Sequence, residues 1–179
     1  MKKRILILFL TILSACKQES EIQNPNGIWT ETELNELNSI VSEFDRILTT
    51  EYKTDSDKKA YLAYSNNVFQ NQIVPNLNGM EKLSSDLKKF VAFDKIWWKY
   101  SVSNTEYFNL KTDSNYQKYL IKIGKKSEFI KNYADRFNAA SDLQPSLIAS
   151  FAKNIETIDL TDRNNRLIFA IHYLTLMNR

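Results

Sequence analysis

The sequence predicts an all-α, bundle-like single domain of about six or seven helices, spanning residues 28–179 and attached to an N-terminal tether. Three observations support this fold class. Apolar residues recur three and four positions apart over most of the range, which is typical of amphipathic helices. The chain has only three glycines and three prolines, and all of them lie at proposed helix boundaries or helix starts. Beyond residue 16, no apolar stretch reaches the roughly 18 residues that a membrane-spanning helix needs.

The first two helices are the most clearly marked. Thr30 and Glu33 have the spacing of a capping box, in which a hydroxyl and a carboxylate accept hydrogen bonds from backbone N–H groups at the helix start. The apolar residues behind this box predict one helix that ends at about Thr50. A second helix is predicted from about Asp57, and it stops before Pro75 because proline disfavours helical conformation in the preceding residue.

A third helix is predicted to follow Gly79, and its apolar face comprises Leu83, Leu87, Phe90, Val91, Trp97 and Trp98. The next stretch, residues 101–112, is polar and poorly periodic. A loop is therefore predicted there, with residues 107–110 as a candidate strand.

The second half of the domain is predicted to be helical as well. A short helix over residues 113–123 is expected to end at Gly124, because glycine is favoured just beyond a helix terminus. Ser127 begins another helix, and Pro145 lies near the start of the next, where its missing N–H is tolerated.

The last helix is predicted over residues 167–177, with Thr161 or Asp162 as its cap. Its residues are apolar on nearly every side, whereas a surface helix keeps one polar face. We therefore expect this helix to lie at the centre of the bundle.

The first sixteen residues have the layout of a secretory signal, with a positive start at Lys2, Lys3 and Arg4 followed by an apolar stretch over residues 5–13. Small residues then precede the only cysteine, in the order Leu13, Ser14, Ala15, Cys16. This ending resembles the lipobox of bacterial lipoproteins. The resemblance implies cleavage after residue 15, a diacylglyceryl group on the Cys16 thiol, and a fatty acyl chain such as palmitate on the new amino terminus.

Residues 16–27 are predicted to be the lipidated cysteine and a flexible tether, because they are polar and end in Pro25, Asn26 and Gly27. The residue after the cysteine is Lys17 rather than aspartate, which among lipoproteins implies the outer membrane if the cell has one. Residues 17–21 are rich in charge and resemble export signals of surface lipoproteins. A solvated linker explains them equally well, so the periplasmic and surface locations both remain open.

Removal of the signal changes the charge of the protein. The chain has 24 basic and 21 acidic residues, and three of the basic ones precede Cys16, which leaves 24 − 3 = 21 of each sign. A neutral mature protein argues against nucleic acid as a partner. Lipidation would also consume the only cysteine, so the fold is expected to form without disulfides.

Motifs for catalysis or cofactor binding are missing from the sequence. No glycine-rich phosphate loop occurs, and one histidine without a free cysteine cannot form a clustered metal or haem site. No metal or cofactor is therefore expected. His172 has two interpretations: a general base oriented by Asp159 or Asp162, or a half-buried structural residue bonded to a carbonyl or hydroxyl. The structural interpretation is favoured because no serine elbow or acid cluster lies nearby in sequence.

An aromatic group in the third predicted helix is the main candidate for binding. Phe90, Phe93, Trp97 and Tyr100 follow helical spacing and are expected to be mostly core. Trp97, Trp98 and Tyr100 are the possible binding residues, since tryptophan and tyrosine dominate binding hot spots. Among them, Trp98 and Tyr100 are the ones expected to be exposed, because they lie near the helix end.

Three functions are compatible with these observations. The favoured one is a non-catalytic envelope lipoprotein whose helical domain binds another protein, as an accessory subunit or in an inhibitor or immunity-type role. A second is a lipoprotein that binds a small apolar ligand or a sugar between helices near Trp97 and Trp98. A third is a hydrolase that uses acidic residues together with His172. The favoured interpretation is that the protein is not an enzyme.

Overall fold

A computed structural model describes residues 21–179 of the chain. The predictions for the signal peptide, for the cleavage residues Leu13, Ser14 and Ala15, and for lipidation of Cys16 lie outside the described residues. Within them the helical fold class is confirmed. The structure contains seven α-helices and one β-hairpin, in the order α1 (Glu31–Glu51), α2 (Asp57–Asn71), α3 (Met80–Leu87), β1 (Trp97–Val102), β2 (Thr105–Leu110), α4 (Asn115–Ile123), α5 (Glu128–Ala140), α6 (Pro145–Lys153) and α7 (Arg163–Met177).

The capping box at the start of α1 is confirmed. The hydroxyl of Thr30 accepts from the Glu33 backbone N–H at 3.3 Å, and the Glu33 carboxylate accepts from the Thr30 N–H at 2.8 Å. The same carboxylate is buried and pairs with Lys95 at 2.5 Å. Its charge is thus compensated by the helix start and by a lysine from a distant loop.

Helix α7 lies at the centre of the fold, as predicted. Asp162 caps it by accepting from the Asn164 N–H, and every residue from 164 to 175 is buried. Phe169 lies within 4.6 to 6.1 Å, ring centre to ring centre, of aromatic side chains from α1, α2, α6 and α7 itself, namely Phe44, Tyr61, Tyr64, Phe151 and Tyr173. Packing of α1, α2 and α6 therefore depends on this helix.

The third predicted helix is wrong beyond its first two turns. Helix α3 ends at Leu87, and the Glu36 carboxylate of α1 accepts from the backbone N–H groups of Val91 and Ala92 at 2.9 and 2.8 Å. Trp97, Trp98 and Tyr100 lie on β1, which pairs antiparallel with β2. The candidate strand over residues 107–110 is confirmed and begins earlier, at Thr105.

A tight turn explains why a hairpin forms here. Ser103 and Asn104 connect the strands, and both have positive φ values, 49° and 66°. Two-residue hairpin turns require such values, and asparagine adopts them readily. The residues of the two strands are rich in aromatic and β-branched types, which favours strand over helix.

The packed domain begins before residue 28. Ile22 is only 6% exposed, although it falls in the predicted flexible tether. The backbone N–H of Gln23 donates to the buried Asn164 side chain of α7 at 2.7 Å. Asn24 exchanges two hydrogen bonds with the backbone of Trp29, which is itself buried. The segment over residues 22–29 is therefore fixed to the domain, and it differs from the expected tether.

Gly124 follows α4 as predicted, but for another reason. Its φ of −58° is ordinary right-handed helix and any residue could adopt it. A Cβ at this position would lie only 3.0 Å from the Lys131 backbone of α5. Glycine therefore allows α4 and α5 to approach closely.

No helix within residues 21–179 is both long enough and apolar enough to cross a membrane.

Candidate functional site

The two faces of the β-hairpin differ in chemistry. The inner face carries Trp97, Phe108 and Leu110, all buried. The Trp97 ring centre lies 5.3 Å from Phe93 and 5.4 Å from Phe108, and its indole N–H donates to the Thr175 hydroxyl of α7 at 2.7 Å. Trp97 is thus a core residue that fixes the hairpin to α7, and its indole is packed among neighbouring side chains.

The outer face carries an aromatic row, defined here as Trp98, Tyr100 and Tyr107. Trp98 is 46% exposed and the two tyrosines are partly exposed. The ring centres of Trp98 and Tyr100 are 5.0 Å apart, and Tyr100 stacks on its cross-strand partner Tyr107 at 5.6 Å. Val102, 55% exposed, extends this face toward the turn. The rings contact one another along and across the strands, so the row forms one continuous aromatic surface.

The hairpin is attached firmly on the side of β2. The Phe108 N–H donates to the Asn178 carbonyl just after α7 at 2.8 Å, and Asn109 donates to Asp142 at 3.0 Å. Glu106 pairs with Lys88 at 2.8 Å. The outer edge of β2 therefore faces the C-terminal end of α7, and β1 reaches the same helix through the Trp97 indole. These contacts hold the aromatic row in one orientation relative to the helices.

Trp98 is exposed and Tyr100 is partly exposed, as expected, and Trp97 is buried, which agrees with its expected place in the core. The binding role of Trp98 and Tyr100 stays a prediction. Tyr107 joins the surface only through strand pairing, which no local pattern indicates. The signal that could have found Val102 is the alternation of Trp98, Tyr100 and Val102 before a Ser-Asn turn.

His172 is fully buried in α7, and its surroundings are aromatic. Its Nδ1 lies 3.1 Å from the Tyr133 hydroxyl, and its ring stacks on Phe151 with centres 4.1 Å apart. Burial, with a smaller effect of Arg179, lowers the pKa of His172 to about 3. Asp162 caps the same helix ten residues earlier, a separation of about 15 Å along the axis. The contact with the Tyr133 hydroxyl agrees with the structural interpretation, but the residue is fully rather than half buried, and Asp162 is too distant to orient the ring.

A second buried polar group connects α7 to α1 and α2. Arg166 pairs with Asp57 and lies 3.7 Å from Asp45. The Tyr61 hydroxyl donates to Asp45 at 2.6 Å. Burial raises the pKa of Asp45 to about 6, against the opposing effects of Tyr61 and Arg166. The sequence did not predict this group, whose members come from three helices; each charged member has a partner, which is typical of a structural role.

A polar cleft of about 700 Å³ lies near the first turn of α7. Its walls come from the segment before α1, from the ends of α4 and α6, and from the starts of α5 and α7. The lining residues are mainly amides, hydroxyls and acids, and include Gln23, Lys126, Glu128, Phe129, Asn132, Asn154, Asp159 and Asn165. Its composition suits a small polar molecule better than an apolar one.

Within residues 21–179, no group of three or more His, Cys, Asp or Glu side chains is placed to hold a metal ion.

The fold and these surfaces define a mostly helical domain that presents an aromatic hairpin. Comparison with known proteins adds no family: no protein-family model matches the chain, and no curated protein and no solved structure shows significant similarity to it.

Proposed function

We propose that this protein is a bacterial envelope lipoprotein, anchored by lipid on Cys16, that binds another protein through its aromatic row without catalysing a reaction. The observation that carries the proposal is the accessible row of Trp98, Tyr100 and Tyr107 on a hairpin that hydrogen-bonds to the C-terminal end of α7. Residues of these types supply large contact areas with little loss of side-chain freedom, which is why they dominate binding hot spots.

In this proposal the partner is either a protein that this chain inhibits or the main subunit of an assembly in which this chain is an accessory subunit. Both roles require a fixed surface, and the hairpin contacts to Asn178 and Thr175 provide one. The lipid holds the domain at the membrane, on the outer membrane of a cell that has two.

Site-specific photocrosslinking in intact cells tests the binding surface. Trp98 is replaced by p-benzoylphenylalanine, and the matched control carries it at Phe69 of α2, because the two side chains are 46% and 48% exposed. We expect a discrete crosslinked protein band from position 98 and none from position 69. The same band from both positions, or no band from position 98, would refute binding through the aromatic row.

The anchor has its own test. Cys16→Ser should abolish labelling by radioactive fatty acid and leave the precursor unprocessed. Leu13→Asp, at a position that is not itself acylated, should have the same effect because it removes recognition of the cleavage signal. Unchanged membrane attachment of Cys16→Ser would contradict the lipid anchor.

A small polar ligand such as a saccharide is a second candidate, and the polar cleft is the observation that favours it. Asn132 is exposed on α5 and lines the cleft, so Asn132→Arg should fill the space without disturbing the core. In saturation-transfer NMR with neutral and N-acetylated oligosaccharides, the parent protein should give signals that the Asn132→Arg variant does not give. Equal signals from both proteins would exclude the cleft as the site.

A further inference from the structure

Helix α4 presents a basic outer face next to the N-terminal segment. Lys118, Ile121 and Lys122 lie three and four positions apart on one side of α4. Lys125 follows in the short 3-10 turn Gly124–Lys126. Lys118 and Lys125 are exposed, and Ile121 is 46% exposed despite its apolar side chain. We call these four residues the lysine face.

The positive charge of this face is not neutralised locally. Residues 114–127 contain four lysines and no acid. Among residues 21–179, none of the three lysines on the face forms an ion pair, whereas Lys82, Lys88, Lys89 and Lys95 elsewhere all do. Solvent-exposed cations without acidic neighbours are free to bind an anionic surface.

The lysine face lies beside the part of the chain that leads to the anchor. The Asn115 side chain donates to the Ile28 carbonyl at 2.8 Å, and Trp29 packs on Tyr119 with ring centres 5.9 Å apart. Just after α4, the Lys126 ammonium donates to the Gln23 side chain at 3.3 Å. Cys16 is seven residues before Gln23, and seven residues span at most about 25 Å, so the lipid cannot lie farther than this from Gln23.

We infer that the lysine face contacts anionic phospholipid headgroups, with Ile121 entering the boundary between headgroups and acyl chains. This inference rests on the proposed lipid anchor, which brings the face to the bilayer. Basic residues around an apolar side chain are the chemistry of helices that lie on membrane surfaces, and a basic patch reinforces a lipid anchor. The contact would fix the orientation of the domain rather than merely its location.

Fluorescence of the full-length lipidated protein in vesicles tests the contact. The native thiol is blocked by lipid, so Ile121→Cys can be labelled with a single environment-sensitive nitrobenzoxadiazole dye, and Ile73→Cys after α2 is the control. In phosphatidylcholine vesicles containing one quarter phosphatidylglycerol, we expect a shift to shorter wavelength at position 121 only. The shift should disappear in pure phosphatidylcholine. It should also disappear at about 1 M salt, where the Debye screening length falls to about 3 Å.

Charge variants provide the matched comparison. Replacing Lys118, Lys122 and Lys125 by glutamine should remove the shift, whereas glutamine at the exposed positions Lys53, Lys82 and Lys89 removes the same charge and should leave it intact. Equal emission from positions 121 and 73, or no dependence on phosphatidylglycerol, would overturn the inference.

The same samples separate this inference from the anchor. Mass spectrometry of the peptide that begins at Cys16 reports the lipid directly. Lipidated protein without the spectral shift refutes only the lysine face. Protein that lacks the lipid refutes the anchor and, with it, the inferred membrane contact.

Discussion

The two ends of helix α7 carry different chemistry. At its start, Asn164 holds the N-terminal segment through Gln23, and the surroundings are polar and charged. Just past its other end, the Asn178 carbonyl holds β2, and the surface beyond is aromatic. The two residues are about 21 Å apart along the axis. One buried helix thus separates the segment that leads to the proposed lipid anchor from the aromatic row that we propose as a binding surface.

The ends also differ in how each is attached. Asn164 is a buried side chain whose carbonyl accepts from both the Gln23 N–H and the Tyr119 hydroxyl, each at 2.7 Å. The hairpin end uses the Asn178 backbone and the Thr175 hydroxyl. The attachments have no residue in common, so a substitution at one end is expected to leave the other intact. A substitution in the middle of α7 should weaken both attachments together.

Phe169→Ala should have the largest effect, because it removes the ring at the centre of the aromatic core. We expect a loss of about 3–5 kcal/mol in the free energy of unfolding, measured by urea denaturation. Both ends should become less protected from hydrogen exchange. Phe69→Ala is the control, since Phe69 is half-exposed and should change stability much less.

A smaller effect is expected from acid, through His172. The unfolded chain binds a proton below pH 6.5, but burial holds the folded pKa at about 3, so stability is lost as the pH falls through this interval. At pH 5 the loss should be about 2 kcal/mol relative to pH 7. His172→Phe should abolish this part of the pH dependence.

Asp45 changes the stability in the opposite direction as the pH falls. Its contribution cancels when the His172→Phe variant is compared with the parent protein. Its raised pKa, about 6, means that the folded protein gains a proton first as the pH falls, which stabilises the fold between pH 6 and 3.8. This contribution is the same with and without His172. An identical pH dependence of unfolding in the variant and the parent protein would contradict a neutral, buried His172.

Thr175→Val should weaken only the hairpin end. The substitution keeps the shape of the side chain but leaves the buried Trp97 indole N–H without its acceptor, which costs about 1–3 kcal/mol. Hydrogen exchange should increase in β1 and β2 and stay unchanged at Gln23. Thr157→Val, at an exposed threonine, controls for the loss of a hydroxyl. Faster exchange at Gln23 in Thr175→Val would show that the two ends are coupled.

The smallest effect on stability is expected from Trp98→Ser. Trp98 is half-exposed, and surface substitutions change the free energy of unfolding by less than about 0.5 kcal/mol. Crosslinking from p-benzoylphenylalanine at Val102 should nevertheless disappear in this background. Retained crosslinking would show that the partner does not bind through the aromatic row.

Helices whose signals are local were predictable. The Thr30 capping box, the Asp162 cap and the apolar surround of α7 each follow from residues that lie within a few turns of one another. The hairpin was not predictable in this way. The spacing of Phe90, Phe93, Trp97 and Tyr100 is compatible with a helix as well as with a loop followed by a strand. Contacts within the packed fold, rather than the local spacing, determine which of these two structures forms.

The candidate surface was predictable only in part for the same reason. Trp98 and Tyr100 stand out by residue type, but Tyr107 reaches them through strand register. The buried group of Asp45, Asp57 and Arg166 depends on contacts between residues more than a hundred positions apart. No local pattern in a single sequence records such pairs.

The position of α7 in the chain also affects how the protein is made. The core is built around a helix that follows the six others, so a chain that emerges N-terminus first has no centre to pack against until α7, Arg163–Met177, has emerged. We expect a chain truncated after Asp162 to be digested rapidly by trypsin, while the full chain resists. Late closure of this kind would keep the nascent chain unfolded during synthesis, as export of the proposed lipoprotein would require.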